Sequence, residues 1–527
     1  MSDQNHSNDS NKNWNRRKFI KSLPLALGAP YVLLNQSKAA THDQGSALPH
    51  DASLEKLMES IPKPVIPMRP DLVKMYNKCW ELGFKNSEHS TDENNFVDWY
   101  VDEAFDPRIF QWDVSFSMAW AKYSQGGMPN IESQDNFYRQ QTPEGAIGGV
   151  IRKNGEFNKP PSAPSFTHNN LFSWAEWEYF MVTGDKSRFE RVIPIIDKYT
   201  QWGIRNRRHK NGHFWWSGFG SGMDNSPRSK PTKPYPPYGW VDYDGNEALS
   251  AYYLAKMAEE IGMKDIADKY RKFHAEMKKL INQDMWSDKD QFYWDIDKDG
   301  SFMKVKTIAS FWPMWGRVTE DKHVKGLVKH LNDTDSFNRP HRVPTTAADQ
   351  KEYVPTGGYW RGSIWAPTNH MVTKGLQANG RLKLARDIVL NHLNNQAAVF
   401  QGTDTVWENY APEFTKPGSP AKPDFVGWSA DGPIAQLIEN YIGININVPE
   451  NSIRWNLLTT EEVGLKNLKF GDTTVKLVAK SRDKLHEDIV LEVDTGKSFE
   501  LKVYDGKSTY KRTVKPGDNQ IKIKTSN

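Results

Sequence analysis

The 527-residue sequence predicts a mainly α protein, an (α/α)6 toroid barrel followed by a small C-terminal β-sandwich. Three observations carry this. Beyond residue 65, apolar residues recur at helical spacing over most of the chain. The helical stretches come in consecutive pairs joined by short turns. After about residue 445 the pattern changes to alternation broken by Asp-Gly and Pro-Gly turns.

The chain opens on an address. A polar start leads to Asn15-Arg16-Arg17-Lys18-Phe19, then an apolar run from Ser22 to Leu34, then Ser37-Lys38-Ala39-Ala40. Charged region, short apolar region and small-residue cleavage site make an export signal over 1–39. The paired arginines resemble the twin-arginine type. The run is shorter than the roughly 20 residues that an ordinary spanning helix needs. The mature protein is therefore expected in the periplasm or secreted, with no membrane attachment. Residues 40–65 read as a flexible lead-in.

Residues 66–445 carry the helices. Leu171, Trp174, Trp177 and Met181 line one face of a helix stopped at Thr183-Gly184-Asp185. A second runs from about 188 to 202. Pairs follow at 246–262 with 265–283 and at 361–378 with 381–396, and 430–442 stands near the end. Hairpins of this length pack antiparallel, and about a dozen helices would close a toroid. No exact internal repeat marks a solenoid. In 446–527, Val475–Val478, Ile489–Val493, Phe499–Tyr504 and Ile521–Ile523 read as strands of the sandwich.

Composition narrows the function. Six Lys or Arg against two Asp in residues 1–39 equal the whole chain's net charge of +4, so the mature chain is neutral. That gives no electrostatic reason to expect a nucleic-acid partner. The single Cys79 excludes an internal disulfide and a Cys-based zinc site, and the 14 His form no H-x-x-x-H cluster. No metal or other cofactor is expected. Asp295-Ile296-Asp297-Lys298-Asp299-Gly300 copies the start of a calcium loop. Its twelfth position is Lys306 rather than Glu, however, and it reads better as a hairpin turn.

Twenty Trp, 20 Tyr and 24 Phe are the unusual feature. Many fall in loops beside acids, arginine or glycine: Phe110–Asp113, Trp215–Arg228, Gly357–Asn369, Thr405–Tyr410 and Phe425–Ser429. Sugars supply a physical reason, because pyranose C–H faces stack on aromatic rings while hydroxyls bond to Asp, Arg and Asn. Glycosidic cleavage needs two carboxyl groups flanking the bond, one kept protonated by an apolar setting. Asp224 and Glu408 both stand in such settings.

These motifs resemble the inverting α-glucosidases and trehalase-like glycosidases with an (α/α)6 barrel, close to glycoside hydrolase family 63. The resemblance covers about residues 100–445. It implies Asp224, in Ser-Gly-Met-Asp-Asn-Ser-Pro-Arg, as general acid, and Glu408, in Trp-Glu-Asn-Tyr, as general base. It implies Trp112, Asp113 and Arg361 as contacts to the cleaved sugar, with Trp365, Trp428 and Trp315 as further walls, and an oligosaccharide substrate. The longer trehalase signatures are absent, and the 131–168 loop departs from the common pattern.

Other readings stand beside these. Asp224 can cap a helix or pair with Arg228, Glu408 can be structural, Asp113 can be an N-cap, Arg361 can be a buried ion-pair partner, and Trp315 and Trp365 can be core. Glu413 is a neighbouring acid that competes for the base role. A polysaccharide lyase using His213, His370 or Tyr359, and a non-catalytic sugar-binding protein, are the rival functions. The residues do not define the oligomeric state.

Overall fold

The computed structural model describes residues 52–103, 105–124, 126–229 and 238–525. The export signal read at 1–39 lies outside them. Among the described residues the long α-helices are α1 (Pro70–Asn86), α2 (Gln111–Ala121), α3 (Phe172–Thr183), α4 (Phe189–Arg207), α5 (Val241–Glu260), α6 (Lys264–Asp284), α7 (Asp321–Asn332), α8 (Ala366–Ala378) and α9 (Leu382–Thr403). Further helical segments that are not plain α-helices throughout span Ile308–Trp315 and Trp428–Ile442.

Two kinds of helix alternate, and composition separates them. Every residue of α2 is buried, and most of α3, α5 and α8 are. By contrast, α6 buries only Ala267, Tyr270, Phe273, Met277 and Ile281, a single stripe, and leaves its lysines and acids in solvent. The buried helices touch in sequence: α2 meets α3, α3 meets α5, α5 meets Trp312–Trp315, which meets α8. Helix α8 meets Trp428–Ile442, and that segment returns to α2. The striped helices lie outside, α6 along α5, and α9 along α8.

Boundaries differ from the sequence reading for local reasons. Helix α3 stops as expected at Gly184, which takes φ +73° and sends its N–H to the Phe180 carbonyl. Helix α8 begins at Ala366 rather than 361. Pro367 suits the first turn, and Ile364 is already paired with Tyr410. Helix α5 begins at Val241 rather than 246, because Asp242, Asp244 and Gly245 are buried helical residues and not turn punctuation. The stretch read as an ordinary helix at 430–442 is a 3₁₀ turn, Trp428–Asp431, running into a π-helix, Gly432–Ile442. Such wide turns are rare and gather at functional sites.

Ten residues of the expected lead-in are ordered otherwise. Leu54–Ser60 is a helix, and Lys63–Val65 is a strand, β1. Strand β1 stands at the edge of its sheet, where Pro64 is tolerated. Asn467 Nδ2 donates to the carbonyls of Glu59, Ser60 and Ile61 at 3.0, 2.7 and 3.3 Å, catching the end of that helix.

The C-terminal strands are β2 (Ile444–Asn447), β3 (Ser452–Asn456), β4 (Val463–Phe470), β5 (Thr473–Ala479), β6 (Ile489–Thr495), β7 (Phe499–Tyr504), β8 (Thr509–Val514) and β9 (Gly517–Ile523). They form a five-stranded sheet, β1-β4-β5-β6-β9, and a four-stranded sheet, β2-β3-β7-β8. Among the described pairings within these two sheets, β3–β7 is the parallel one. Alternate residues are buried, Ile489, Leu491 and Val493 on β6 and Phe499, Leu501 and Val503 on β7. Phe470 of one sheet packs on Phe499 of the other at 5.4 Å.

Within the ring of buried helices, side chains lie in layers set by helical spacing. Phe116, Trp174, Trp315 and His370 pack together, with Trp174 5.2 Å from Trp315 and 5.8 Å from His370. One turn further along α3 and α8 stand Glu178 and Lys374. With Lys122 and Glu439 they make a buried quartet of alternating charge. Lys122 pairs with Glu178, and with Glu439 at 2.7 Å; Lys374 pairs with Glu439 at 2.7 Å and Glu178 at 3.4 Å.

Glu247 on α5 is buried as well. Burial, and then the charge of Asp244, push its carboxyl up to about 8. It stays protonated in the folded protein where the unfolded chain ionises near 4.5. Its favourable contribution is thus complete below about pH 4.5 and is lost as pH rises through about 8. Glu247→Gln should therefore stabilise the protein more at pH 8 than at pH 5, read from urea midpoints at the two pH values.

Candidate active site

Four tryptophans from three elements meet at the N-terminal ends of α2, α8 and the π-helix. Trp360 and Trp365, in the loop before α8, stack face to face at 3.9 Å. Trp112 of α2 lies 5.7 Å from Trp360, and Trp428 stands edge-on to Trp112 and Trp365 at 5.6 and 5.5 Å. All four are at most 1% exposed, so they brace one another into a fixed cage.

The loop with Asp224 rests on this cage. Gly222 has φ +76°, and a Cβ there would sit 1.6 Å from the Trp112 ring. Only glycine allows that approach. Asp224 follows two residues later and is half-buried. Arg228 closes the loop. Its guanidinium donates to both oxygens of Asp242, at the start of α5, at 2.8 Å each. It also donates to both of Asp295 at 2.7 and 2.8 Å. All three side chains are nearly inaccessible.

Glu408 enters from the other side and is buried. Its N–H donates to the Lys422 carbonyl at 2.9 Å, and its carbonyl accepts from Ser429 Oγ at 3.4 Å. Its Oε1 accepts from the Tyr359 hydroxyl at 3.0 Å. Tyr359 reaches it through an unusual backbone. Gly357, Gly358 and Tyr359 have φ of +111°, +57° and +66° in succession. An aromatic residue in the left-handed region is strained, and such strain concentrates at functional sites. Asn225 joins the two sides. Its side chain donates to the Gly358 carbonyl at 3.0 Å and accepts from the Trp360 N–H at 2.9 Å.

A family model described as the mannosylglycerate hydrolase MGH1-like glycoside hydrolase domain matches residues 103–417. The chain belongs to that glycoside hydrolase family. Both Asp224 and Glu408 fall inside the match. An uncharacterized protein of Borreliella burgdorferi is 26% identical over 431 residues, 77% of this chain and 87% of that one. A probable mannosyl-oligosaccharide glucosidase of Schizosaccharomyces pombe is 25% identical over 48% of this chain, which spans only 32% of that protein. Among solved structures, the family 63 mannosylglycerate hydrolase of Thermus thermophilus in complex with glucose superposes with a TM-score of 0.55 at 16% identity. That match covers 68% of this chain and 98% of the other. An α-L-rhamnosidase from Dictyoglumus thermophilum gives 0.58 at 12% identity, over 88% and 50%. These last two likenesses are of fold.

In this glycoside hydrolase domain the structure brings Trp112, Trp365, Trp428, the Asp224 loop and the Glu408 loop together. Asp113 is buried in the first turn of α2 but is not its N-cap, which is Phe110. Trp315 sits in the layer beneath, against Phe116 and Trp174, and not in the cage. Arg361 is exposed, so it is no buried ion-pair partner. Its carbonyl accepts from the Val354 N–H at 2.9 Å.

Competing residues are committed elsewhere. Arg339 and the Tyr353 hydroxyl bind Glu413 at 2.6 Å each, and together they outweigh its partial burial and hold its carboxyl below the usual range. His213 places Nδ1 2.6 Å from Asp244 and Nε2 3.1 Å from Asp284, so both ring nitrogens are engaged. His370 is wholly inside, its pKa pushed down to about 3 by burial and by Lys374. The 295–303 segment is the expected hairpin, Asp295–Ile296 pairing with Phe302–Met303. Asp295 serves Arg228, and among the described residues no group of three or more His, Cys, Asp or Glu is placed to hold a metal.

Sequence reasoning missed Trp360, Asn225, Asp242 and the real task of Asp295. The first two lie inside recognised motifs. The ion pairs join positions far apart in sequence, which only the fold brings together. Asp295→Asn should weaken the hold on the Asp224 loop. Removing one partner of a buried charge cluster costs about 3 kcal/mol. We expect a melting temperature several degrees lower and reduced kcat, checked by calorimetry and initial rates.

Proposed function

We propose that this glycoside hydrolase is an exported enzyme that cleaves an α-linked, glucoside-like oligosaccharide by single displacement with inversion. Its frame is an (α/α)6 barrel, consistent with the closed succession of buried helices, carrying a C-terminal β-sandwich. Asp224 protonates the leaving oxygen. Glu408 deprotonates a water that attacks the anomeric carbon from the opposite face. The mechanism requires the two carboxyls about 6.5–9.5 Å apart, leaving room for that water.

One observation carries the reading: two carboxylate loops from different parts of the chain converge on one aromatic cage, Gly222 against Trp112 and Tyr359 on Glu408. Trp112, Asp113, Trp365 and Trp428 form the subsite of the cleaved sugar in this account. Arg361, exposed next to Trp360, is assigned to the same sugar in this account, and Trp315 to the layer beneath. The related glucosidase favours a glucoside. The family model's description makes a mannosyl glycoside the next substrate to try. No cofactor enters the chemistry. The paired arginines at 16–17 support twin-arginine export to the periplasm or beyond.

The test is a panel of α-linked gluco-, manno- and galacto-oligosaccharides offered to the mature protein, with released sugar quantified. Cleavage of an α-glucoside supports the reading. Formation of an unsaturated product, absorbing in the ultraviolet, would replace it with the lyase.

A further inference from the structure

The acid and base loops are not merely neighbours; a continuous chain of short bonds runs between them. Asp224 is followed by Asn225. The Asn225 amide bridges Gly358 and Trp360, the residues either side of Tyr359. The Tyr359 hydroxyl then bonds Glu408 Oε1. One side chain donates to and accepts from the flanks of the residue that holds the base. A primary amide suits this task, since it offers a donor and an acceptor on one planar group.

The bridge also sits where the backbone needs restraint. Tyr359 is held at φ +66° behind two glycines with positive φ. Such a turn persists only when its surroundings over-determine it. Asn225 supplies two of the bonds that do so, and Trp360, whose N–H it accepts, is itself locked against Trp365. A shift of the acid loop is thereby transmitted to Tyr359, and a shift of Tyr359 to Glu408.

We propose that Asn225 is a positioning residue that sets the spacing of the two catalytic carboxylates, acting through Tyr359. This rests on Asp224 and Glu408 being acid and base. Asn225 touches neither substrate nor reacting atoms in this account. Misplacement of a catalytic group by about 1 Å can lower a rate about 100-fold without altering binding. Asn225→Ala should therefore lower kcat by about 10- to 100-fold and leave KM within about threefold. Tyr359→Phe should lower it comparably. The double variant should be little worse than the poorer single one, because both remove the same linkage.

The decisive arm needs no substrate. Amide hydrogen exchange is followed in peptides spanning 357–361 and 406–411, in the wild type, Asn225→Ala, Asn225→Ser and Tyr359→Phe. Both Asn225 variants should speed exchange in the first peptide and also in the second, where Tyr359→Phe speeds the second chiefly. Carrying Asn225→Ser in parallel keeps the test open should the alanine variant fold poorly. Faster exchange confined to 357–361 would overturn the proposal, as would additive losses in kcat or a loss expressed in KM alone. A wild type that cleaves no glycoside would defeat the functional reading, while exchange at 406–411 still decides the linkage.

Discussion

Glu408→Gln and Asp224→Asn should each lower kcat by about 1,000-fold or more while the protein stays folded. Glutamine keeps the shape of Glu408 and can still accept the Tyr359 hydroxyl bond of 3.0 Å. It cannot take a proton from water. Asparagine at 224 keeps the turn over Trp112 but has no acidic proton to give. The two losses should differ with substrate. A glycoside whose leaving group needs no protonation, such as an activated aryl glycoside or a glycosyl fluoride, should recover much of its rate in Asp224→Asn and none in Glu408→Gln. Initial rates on a natural and an activated substrate separate the two roles. Equal rescue of both variants would mean that the roles are wrongly assigned.

The second large effect is on stability. Glu439→Gln should destabilise the fold by about 3–5 kcal/mol, because it leaves Lys122 and Lys374 buried against a single carboxylate. Replacing two opposite partners together, as in Lys122→Met with Glu439→Leu, should cost clearly less than the worse single change. The quartet also predicts an acid limit. Burial alone would raise the Glu178 carboxyl, but Lys122 and Lys374 outweigh it and hold it down to about 2. Glu439 is likewise held below the usual carboxylate range, by the same lysines against its burial. A depressed carboxylate stabilises fully above its unfolded pKa, near 4.5 here, and its contribution fades as pH falls toward about 2. Denaturant midpoints should drop between these limits in the wild type and drop less in the double variant. A double variant as unstable as the single one would show that the pairing is not what makes the quartet matter.

Much of this was readable in one dimension, and the reasons are particular. The outer helices announced themselves because their apolar residues form one stripe, as on α6 from Ala267 to Ile281. The strands announced themselves by alternation, as on β6 and β7. Inner helices were harder to bound. Asp242, Asp244 and Gly245 look like turn chemistry in sequence, yet they lie buried inside α5, where Asp242 pairs with Arg228, Asp244 with His213, and Gly245 packs against Trp312. The carboxylate loops were legible through their aromatic and glycine surroundings. The bonds that hold them were not. Arg228 with Asp242 and Asp295, and Asn225 with Gly358 and Trp360, join separate segments and leave no local periodicity. Arg361 and Trp315 mark the opposite difficulty: residues singled out in the sequence that the fold leaves exposed in one case and packs against Phe116 and Trp174 in the other.

The most direct test of the acid–base account is proton NMR of the anomeric signals during the first turnovers, on whichever α-linked oligosaccharide the protein cleaves. The account predicts that the β-anomer of the released sugar appears first and that the α-anomer grows in only by mutarotation, with no signal from Asp224→Asn or Glu408→Gln on that substrate. First appearance of the α-anomer would mean a retaining double displacement, and would contradict the assignment of Glu408 as the base that activates water.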